Sequence, residues 1–345
     1  MNELTDRQRL LLSLVIHEYI RSATPVGSKH MVEQYHLDMS SATVRNELAE
    51  LTELGYLRQP HLSAGRVPTE DGYRLFVGNI VHESELPDST RRTISHQFYQ
   101  MRQDVEQWTR LAASVLAHQS RAASLVTAPH PEHARFKHLE MIASRGRQVL
   151  MVLVLMGGEI LQRFITLPEP VTQEMLSEIA DRFTSLLEGK SVTAIELDSI
   201  EMNALEQDLF DLFLEEMKQA DSMVSGELVL DGLTNVLAEP EFSGAEEARR
   251  ALRVLEEKPL LHDILAQTVL HGSSVGGVQV LIGGEGIYDA LSQCSIVLAR
   301  YGTPGLATGT LGVLGPMRMP YGRTISIVRF LSGLLSELVT ETMTE

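Results

Sequence analysis

Arg45 and Asn46 stand side by side in the stretch Ser40-Ser41-Ala42-Thr43-Val44-Arg45-Asn46-Glu47-Leu48. Arginine pairs bidentately with guanine in the major groove, and asparagine does the same with adenine. The other clusters suit chemistry less well. Gly283-Gly284-Glu285-Gly286 follows an apolar run and could cradle a phosphate, but no Walker lysine accompanies it and its glycine spacing departs from the dinucleotide fingerprint. A plain strand-to-helix turn accounts for it. His130, His133 and His138 gather around Pro129 and Pro131 without a carboxylate or cysteine to complete a zinc set. A solvated loop is expected there. Cys294 follows His262 and His271, but nothing brings them together, and a buried structural thiol is expected. No catalytic constellation emerges. We therefore assign no catalytic residue, cofactor, cofactor-binding residue or metal ligand, and expect no enzyme.

A base-reading pair must sit on an element that enters the groove. Residues 24–68 supply one. Ser28 is expected to cap a short helix with Met31, Val32 and Tyr35 inward. A polar turn at 36–39 leads to Ser40 and Ser41, good N-cap residues. A second helix then runs to about Leu54, with Val44, Leu48 and Leu51 at i, i+4 and i+7 forming one buried stripe. Gly55 stands where a helix-ending glycine belongs. Residues 56–58 read as a short strand and 63–66 as a turn into a second. Helix, turn, helix, strand, turn, strand is the winged helix-turn-helix order.

With Val44, Leu48 and Leu51 inward, Ser41, Ala42, Arg45, Asn46 and Ala49 lie toward the outer side, and Thr43 sits near the helix start. Ala42 and Ala49 permit close approach. The serines and free N–H groups at the helix start suit phosphates. Arg66 is expected at the wing tip, reaching phosphate or the minor groove. The alternative is a helical hairpin for protein contacts, its polar face merely solvated.

The chain has 345 residues, enough for two or three domains with ample core. Its net charge of −17 argues against non-specific nucleic-acid binding by the whole molecule. The charge is uneven. Residues 1–75 carry 8 basic and 10 acidic side chains, and the remainder carries 21 basic and 36 acidic. There is no broad basic stripe, so affinity must come from a few well-placed contacts doubled by dimerisation. No apolar run reaches a membrane span, and the charged start MNELTDRQR lacks a signal-peptide core. With Cys294 the one cysteine, no internal disulfide forms. A cytoplasmic protein without a membrane partner is expected.

Along the chain, Thr5-Asp6-Arg7-Gln8 is a capping box opening a helix to about Arg21. Thr69 caps a helix with Tyr73, Phe76, Val77 and Ile80 on its apolar face. Residues 82–90 read as a linker and 91–121 as one long helix. Segments 136–142, 149–156 and 160–167 read as strands, with turns at 145–147 and 157–158. Residues 171–187, 205–217, 244–257 and 260–268 read as helices. Short strands are expected at 228–230 and 236–237, buried strands at 275–282, 295–299 and 311–314, and a helical close at 321–338. Strands, helices and strands again suggest one sheet domain interrupted by a helical insertion.

These pieces coincide with one family. The chain resembles the HrcA-type heat-inducible transcription repressors of bacteria. The match is densest at Pro25-Val26-Gly27-Ser28, Ser40–Leu48, Leu54-Gly55-Tyr56-Leu57, Gln59–Thr69, Gly72-Tyr73-Arg74, Gly312–Met319 and Tyr321. The resemblance implies a homodimer of the α+β multidomain class. A winged-helix DNA-binding domain would occupy 1–80, a linker 81–89 and a GAF-like α/β domain 90–168 and 273–345, interrupted by a mainly helical inserted dimerisation domain at 169–272. It implies binding to double-stranded DNA at a CIRCE-type inverted-repeat operator and repression of chaperone operons of the grpE-dnaK-dnaJ and groELS types. It also implies that the chaperonin GroEL modulates activity. The expected DNA-binding residues are Lys29, Ser40, Ser41, Ala42, Thr43, Arg45, Asn46, His61, Ser63 and Arg66. Two rival classes remain, an enzyme using a nucleotide at 283–286 and a chaperone-associated adaptor whose N-terminal module contacts protein.

Overall fold

The Thr5 side chain accepts from the Gln8 N–H while Gln8 reciprocates at the Thr5 N–H, so the expected capping box forms. It opens α1 (Asp6–Ser22), which buries Leu11, Leu12, Val15 and Ile16. Helix α2 (Ser28–Tyr35) starts one position earlier than its expected cap: Gly27 is the N-cap and Ser28 the first helical residue. Helix α3 (Ser41–Glu53) is capped by Ser40, whose Oγ accepts from the Thr43 N–H at 3.1 Å. Gly55 follows with φ +85°, a left-handed conformation that glycine adopts without strain. Strands β1 (Leu57–Arg58) and β2 (Val67–Pro68) pair antiparallel. Thr69 then caps α4 (Glu70–Asn79) by accepting from the Gly72 N–H.

The computed structural model describes residues 4–79, 86–101, 104–131, 133–156, 158–223, 227–242, 244, 261, 277–283 and 291–344. The expected helices at 244–257 and 260–268, the centre of the expected linker, His262, His271 and the glycine-rich residues 284–286 fall mostly or wholly outside them.

The chain is mixed α/β and divides into two compact units. The first comprises 1–128, 227–302 and 309–345. Beyond α1–α4 it holds α5 (Asp88–Met101), α6 (Val105–Ser120), β3 (Ala123–Thr127), β7 (Leu228–Asp231), α10 (Leu233–Leu237), β8 (Val278–Ile282), β9 (Cys294–Thr303), β10 (Ala307–Pro316) and the closing helix α11 (Tyr321–Thr344). Its sheet runs in the order β7-β3-β10-β9-β8. All ten residues of β10 are buried, as befits a strand inside a covered sheet.

The second unit comprises 129–226 with 303–308. Strands β4 (Phe136–Ala143), β5 (Gln148–Leu155) and β6 (Ile160–Thr166) form an antiparallel sheet. One face packs against α7 (Gln173–Leu187) and α9 (Ala204–Met223), with the short α8 (Val192–Glu196) beside them. Phe136, Phe183, Phe210 and Phe213 interlock at its centre.

Several expectations change. The long helix at 91–121 is two helices, because Asp104 caps a new start by accepting from the Gln107 N–H. Residues 123–127 form a strand, and 236–237 belong to a helix rather than a strand. Packing does not break at the expected 168/169 boundary. The strands at 136–166 share a core with α7 and α9, so a three-stranded sheet joins the helices in one unit.

Candidate nucleic-acid interface

Helix α3 is fixed from behind. Its inner residues Val44, Leu48 and Leu51 are fully or almost fully buried. Gln8 on α1 donates to the Glu50 carboxylate at 2.9 Å, and Arg7 pairs with Glu47 at 3.2 Å. Helix α2 is tied to α1 through one carboxylate. Glu18, with its side chain only 5% exposed, accepts from Arg21, from the His30 ring and from the Tyr35 hydroxyl. Burial pushes its carboxyl up, but the hydrogen bonds from Arg21, His30 and Tyr35 outweigh burial and hold it below its ordinary value. Sequence reasoning missed this hub, because its members are 3, 12 and 17 residues apart and only the folded helices bring them together.

A carboxylate held low in the folded state stabilises fully above its unfolded pKa, and that contribution is lost as pH falls through the folded value. The α1–α2 pair is therefore expected to loosen below the ordinary carboxyl value of 4.5. Glu18→Gln should remove that part of the acid sensitivity while leaving the rest. Circular dichroism melts across a pH series compare the two, and identical pH profiles would count against the hub.

The outer face of α3 is open. Ala42, Arg45 and Asn46 are exposed, and Ser41, Thr43 and Ala49 are half-buried. Ser40 is exposed at the helix start, and Lys29 is exposed on α2. The structure thus gathers Ser40, Ser41, Ala42, Thr43, Arg45 and Asn46 on one helix end, as the spacing predicts. His61 and Ser63 lie exposed in the loop between β1 and β2, beside the fully exposed Leu62. The Gln59 amide shapes that loop by donating to the carbonyls of Leu62 and Ala64 at 2.9 and 3.0 Å.

Arg66 is not at the tip. Its backbone exchanges both hydrogen bonds with Val26 at 2.8 Å, and its Nε donates to Thr52 Oγ1 at 2.9 Å. It seals the hairpin against α3 and the segment before α2. Gly65 lies against that seal: a Cβ there would fall 2.4 Å from the Val26 carbonyl. Gly65→Ala is expected to push the hairpin off Val26 and cost about 1–3 kcal/mol, as overpacking does. A thermal melt with hydrogen exchange at Val26 and Arg66 checks it; an unshifted melt would show that the hairpin moves freely.

The groups outside this surface offer little. Cys294 is buried, its thiol pushed up to about 12 by burial, which leaves it inert as a nucleophile. His130 forms a backbone bridge to Thr308, while His138 lies on β4 within 3.5 Å of Glu140. No described helix is long and apolar enough to cross a membrane.

Residues 106–325 match the HrcA protein C-terminal domain family. Over 98% of its length the chain is 44% identical to the heat-inducible transcription repressor HrcA of Roseiflexus sp. (strain RS-1), covering 95% of that protein. The chain belongs to the HrcA family of heat-inducible transcription repressors. HrcA proteins of Herpetosiphon aurantiacus and Thermomicrobium roseum are each 40% identical, with 98% of this chain and 96% of each relative covered. Because the C-terminal family match starts at 106, it is these full-length HrcA relatives that extend over the surface built on α1–α3. A crystal structure described only as a hypothetical protein shares the fold, with a TM-score of 0.56 at 23% identity and 98% of each chain covered.

Proposed function

We propose that α1–α4 with β1 and β2 form a winged helix-turn-helix, and that α3 enters the major groove of an inverted-repeat operator. The observation that carries this reading is the division of α3. Val44, Leu48 and Leu51 are sealed inside, while Arg45 and Asn46 stand exposed on the opposite side of a capped helix start. Arg45 and Asn46 read bases, Ala42 allows close approach, and Ser40, Ser41 and Thr43 meet phosphate. Lys29, His61 and Ser63 flank the groove with backbone contacts. Arg66 acts at the seam between hairpin and α3.

The protein works as a homodimer whose two-fold axis matches the operator's. Supporting this is the uncovered face of the second unit's sheet. Ile142, Leu150 and Phe164 lie in one cross-strand row, and Val154 and Ile160 in another. Ile160 and Phe164 are 56% and 65% exposed. A second copy would bury such a face, which makes this unit the dimerisation domain. The five-stranded sheet, flanked by α6 and α11, is the GAF-like domain. Two linked readers bind through effective concentration, which offsets the acidic bulk. Bound at a CIRCE-type repeat before chaperone operons of the grpE-dnaK-dnaJ and groELS types, the dimer blocks transcription, and the chaperonin GroEL sustains its activity.

A gel-shift titration with the inverted repeat against a scrambled duplex, at physiological salt and with and without chaperonin, tests the reading. Selective binding that chaperonin strengthens is the expected result. Absence of selective binding in both arms would favour the adaptor reading.

A further inference from the structure

The stretch Gly312–Tyr321 begins within the central strand β10 and ends at the start of α11, and the operator-binding surface does not use it. Its Arg318 has a side chain only 12% exposed. Its guanidinium pairs with both Glu239 and Glu241, which follow α10. The third partner comes from elsewhere: Nη1 donates to the carbonyl of Ile20, near the C-terminal end of α1. One cation therefore joins the sheet core to the first helix of the DNA-binding module.

A second contact lies alongside. Arg74 on α4 donates to the Ile282 carbonyl at the end of β8, at 3.2 Å. Next to it Gly283 leaves room for the Glu70 carboxylate, since a Cβ at 283 would fall 2.4 Å from Glu70 Cδ. Between the two contacts the Tyr73 and Tyr321 rings pack with centroids 6.0 Å apart, both fully buried. The Tyr321 hydroxyl bonds Ser295 and the Met317 carbonyl, which holds the turn carrying Arg318. A largely buried charge with several oriented partners resists sliding, because breaking any one of them leaves a partly desolvated group unpaired.

We propose that Arg318 is a positioning residue for operator binding: its bonds to Glu239, Glu241 and the Ile20 carbonyl fix the angle at which the reader is carried on the sheet core. The inference rests on the operator-binding reading above. In a two-fold dimer that angle sets the separation and phase of the two recognition helices, and half-sites are read only when they match the turn of the duplex. Loosening the joint leaves each reader intact but lets the pair fall out of step.

The test has a readout that needs no DNA. Spin labels at Glu33→Cys on α2 and Glu337→Cys on α11, both exposed, report the reader-to-core distance by pulsed EPR. The labelled chain is diluted into excess unlabelled chain so that only distances within one chain are read. Wild type should give one narrow distribution, and Arg318→Met a broad one, with Arg318→Lys in between. Binding to duplexes whose arms are spaced by one-base-pair steps is measured in parallel. Arg318→Met should lose about tenfold or more at the natural spacing, as linkage between the two sites weakens. Its spacing preference should flatten, while affinity for a single arm stays at the wild-type value. Glu239→Gln with Glu241→Gln, which keeps the packing, should reproduce this result if Arg318→Met folds poorly. A distance distribution unchanged in both variants would overturn the proposal, as would a broadened one with the wild-type spacing preference. If wild type itself shows no selective binding at any spacing, the operator reading fails, and the positioning role fails with it. The EPR result then still decides whether Arg318 fixes the joint.

Discussion

Arg45→Ala should weaken binding to the inverted repeat by about 1–3 kcal/mol for each half-site in which the arginine contacts a base. Because the proposed dimer reads both arms, and distant sites add, the whole operator should lose roughly twice that. The loss should be selective. Duplexes altered at the contacted base pair should lose little further affinity, whereas changes elsewhere in the arm should still matter. Arg45 is exposed on α3 and has no ion pair among the described residues, so its removal should leave stability within about 0.5 kcal/mol of wild type. A quantitative titration against the repeat and its single-base variants is the measurement. Normal affinity with normal base preference would remove Arg45 from the base-reading set. Lys29→Ala should behave differently, weakening all duplexes alike and lowering the salt slope by about one.

Phe213→Ala should have its main effect in the other compact unit. Phe213 is fully buried, and its ring meets Phe136 at 5.0 Å, Phe210 at 6.1 Å and Phe183 at 6.2 Å. Truncating a buried phenylalanine costs about 3–5 kcal/mol, through lost transfer energy and the cavity left behind. Phe136 lies on β4, Phe183 on α7 and Phe210 on α9, so the loss falls on the packing of sheet against helices. A calorimetric scan should show that unit melting earlier, and light scattering should show the proposed dimer giving way to monomer. Operator affinity should then fall to that of one reader on one arm. A variant that melts early yet stays dimeric would place the dimer contact elsewhere.

Local features were legible where one residue type answers one physical need. Thr5 and Gln8 announced their capping box, Ser40 its cap, and Gly55 its left-handed turn. The i, i+4, i+7 stripe of Val44, Leu48 and Leu51 named the buried side of α3 and therefore the open side. Strand β3 was not legible. Ala123-Ser124-Leu125-Val126-Thr127 is buried on both faces, so it shows no alternation to separate it from the end of α6. The break at Asp104 was hidden because apolar residues keep helical spacing across it, although aspartate at a cap is a usable signal. The edge at 168/169 was expected from the family resemblance, yet the chain turns there within one core. Arg66 was misplaced because its anchors, Val26 and Thr52, are distant in sequence. The partners of Arg318 were invisible for the same reason, even though the stretch around it stood out.

The strand order β7-β3-β10-β9-β8 also bears on how the protein is made. Strand β3 is synthesised early, and its neighbour β10 ends only at Pro316. During translation the second unit is complete by about residue 226, save for the short 303–308 segment, while β3 still lacks both partners, and after β7 is made at 228–231 it still lacks β10 along the other side. Unpaired apolar strand edges are where nascent chains associate wrongly. Ribosome-bound chains stopped before 307 should therefore carry a folded second unit beside an open sheet edge, and the sheet can close only after β10 emerges.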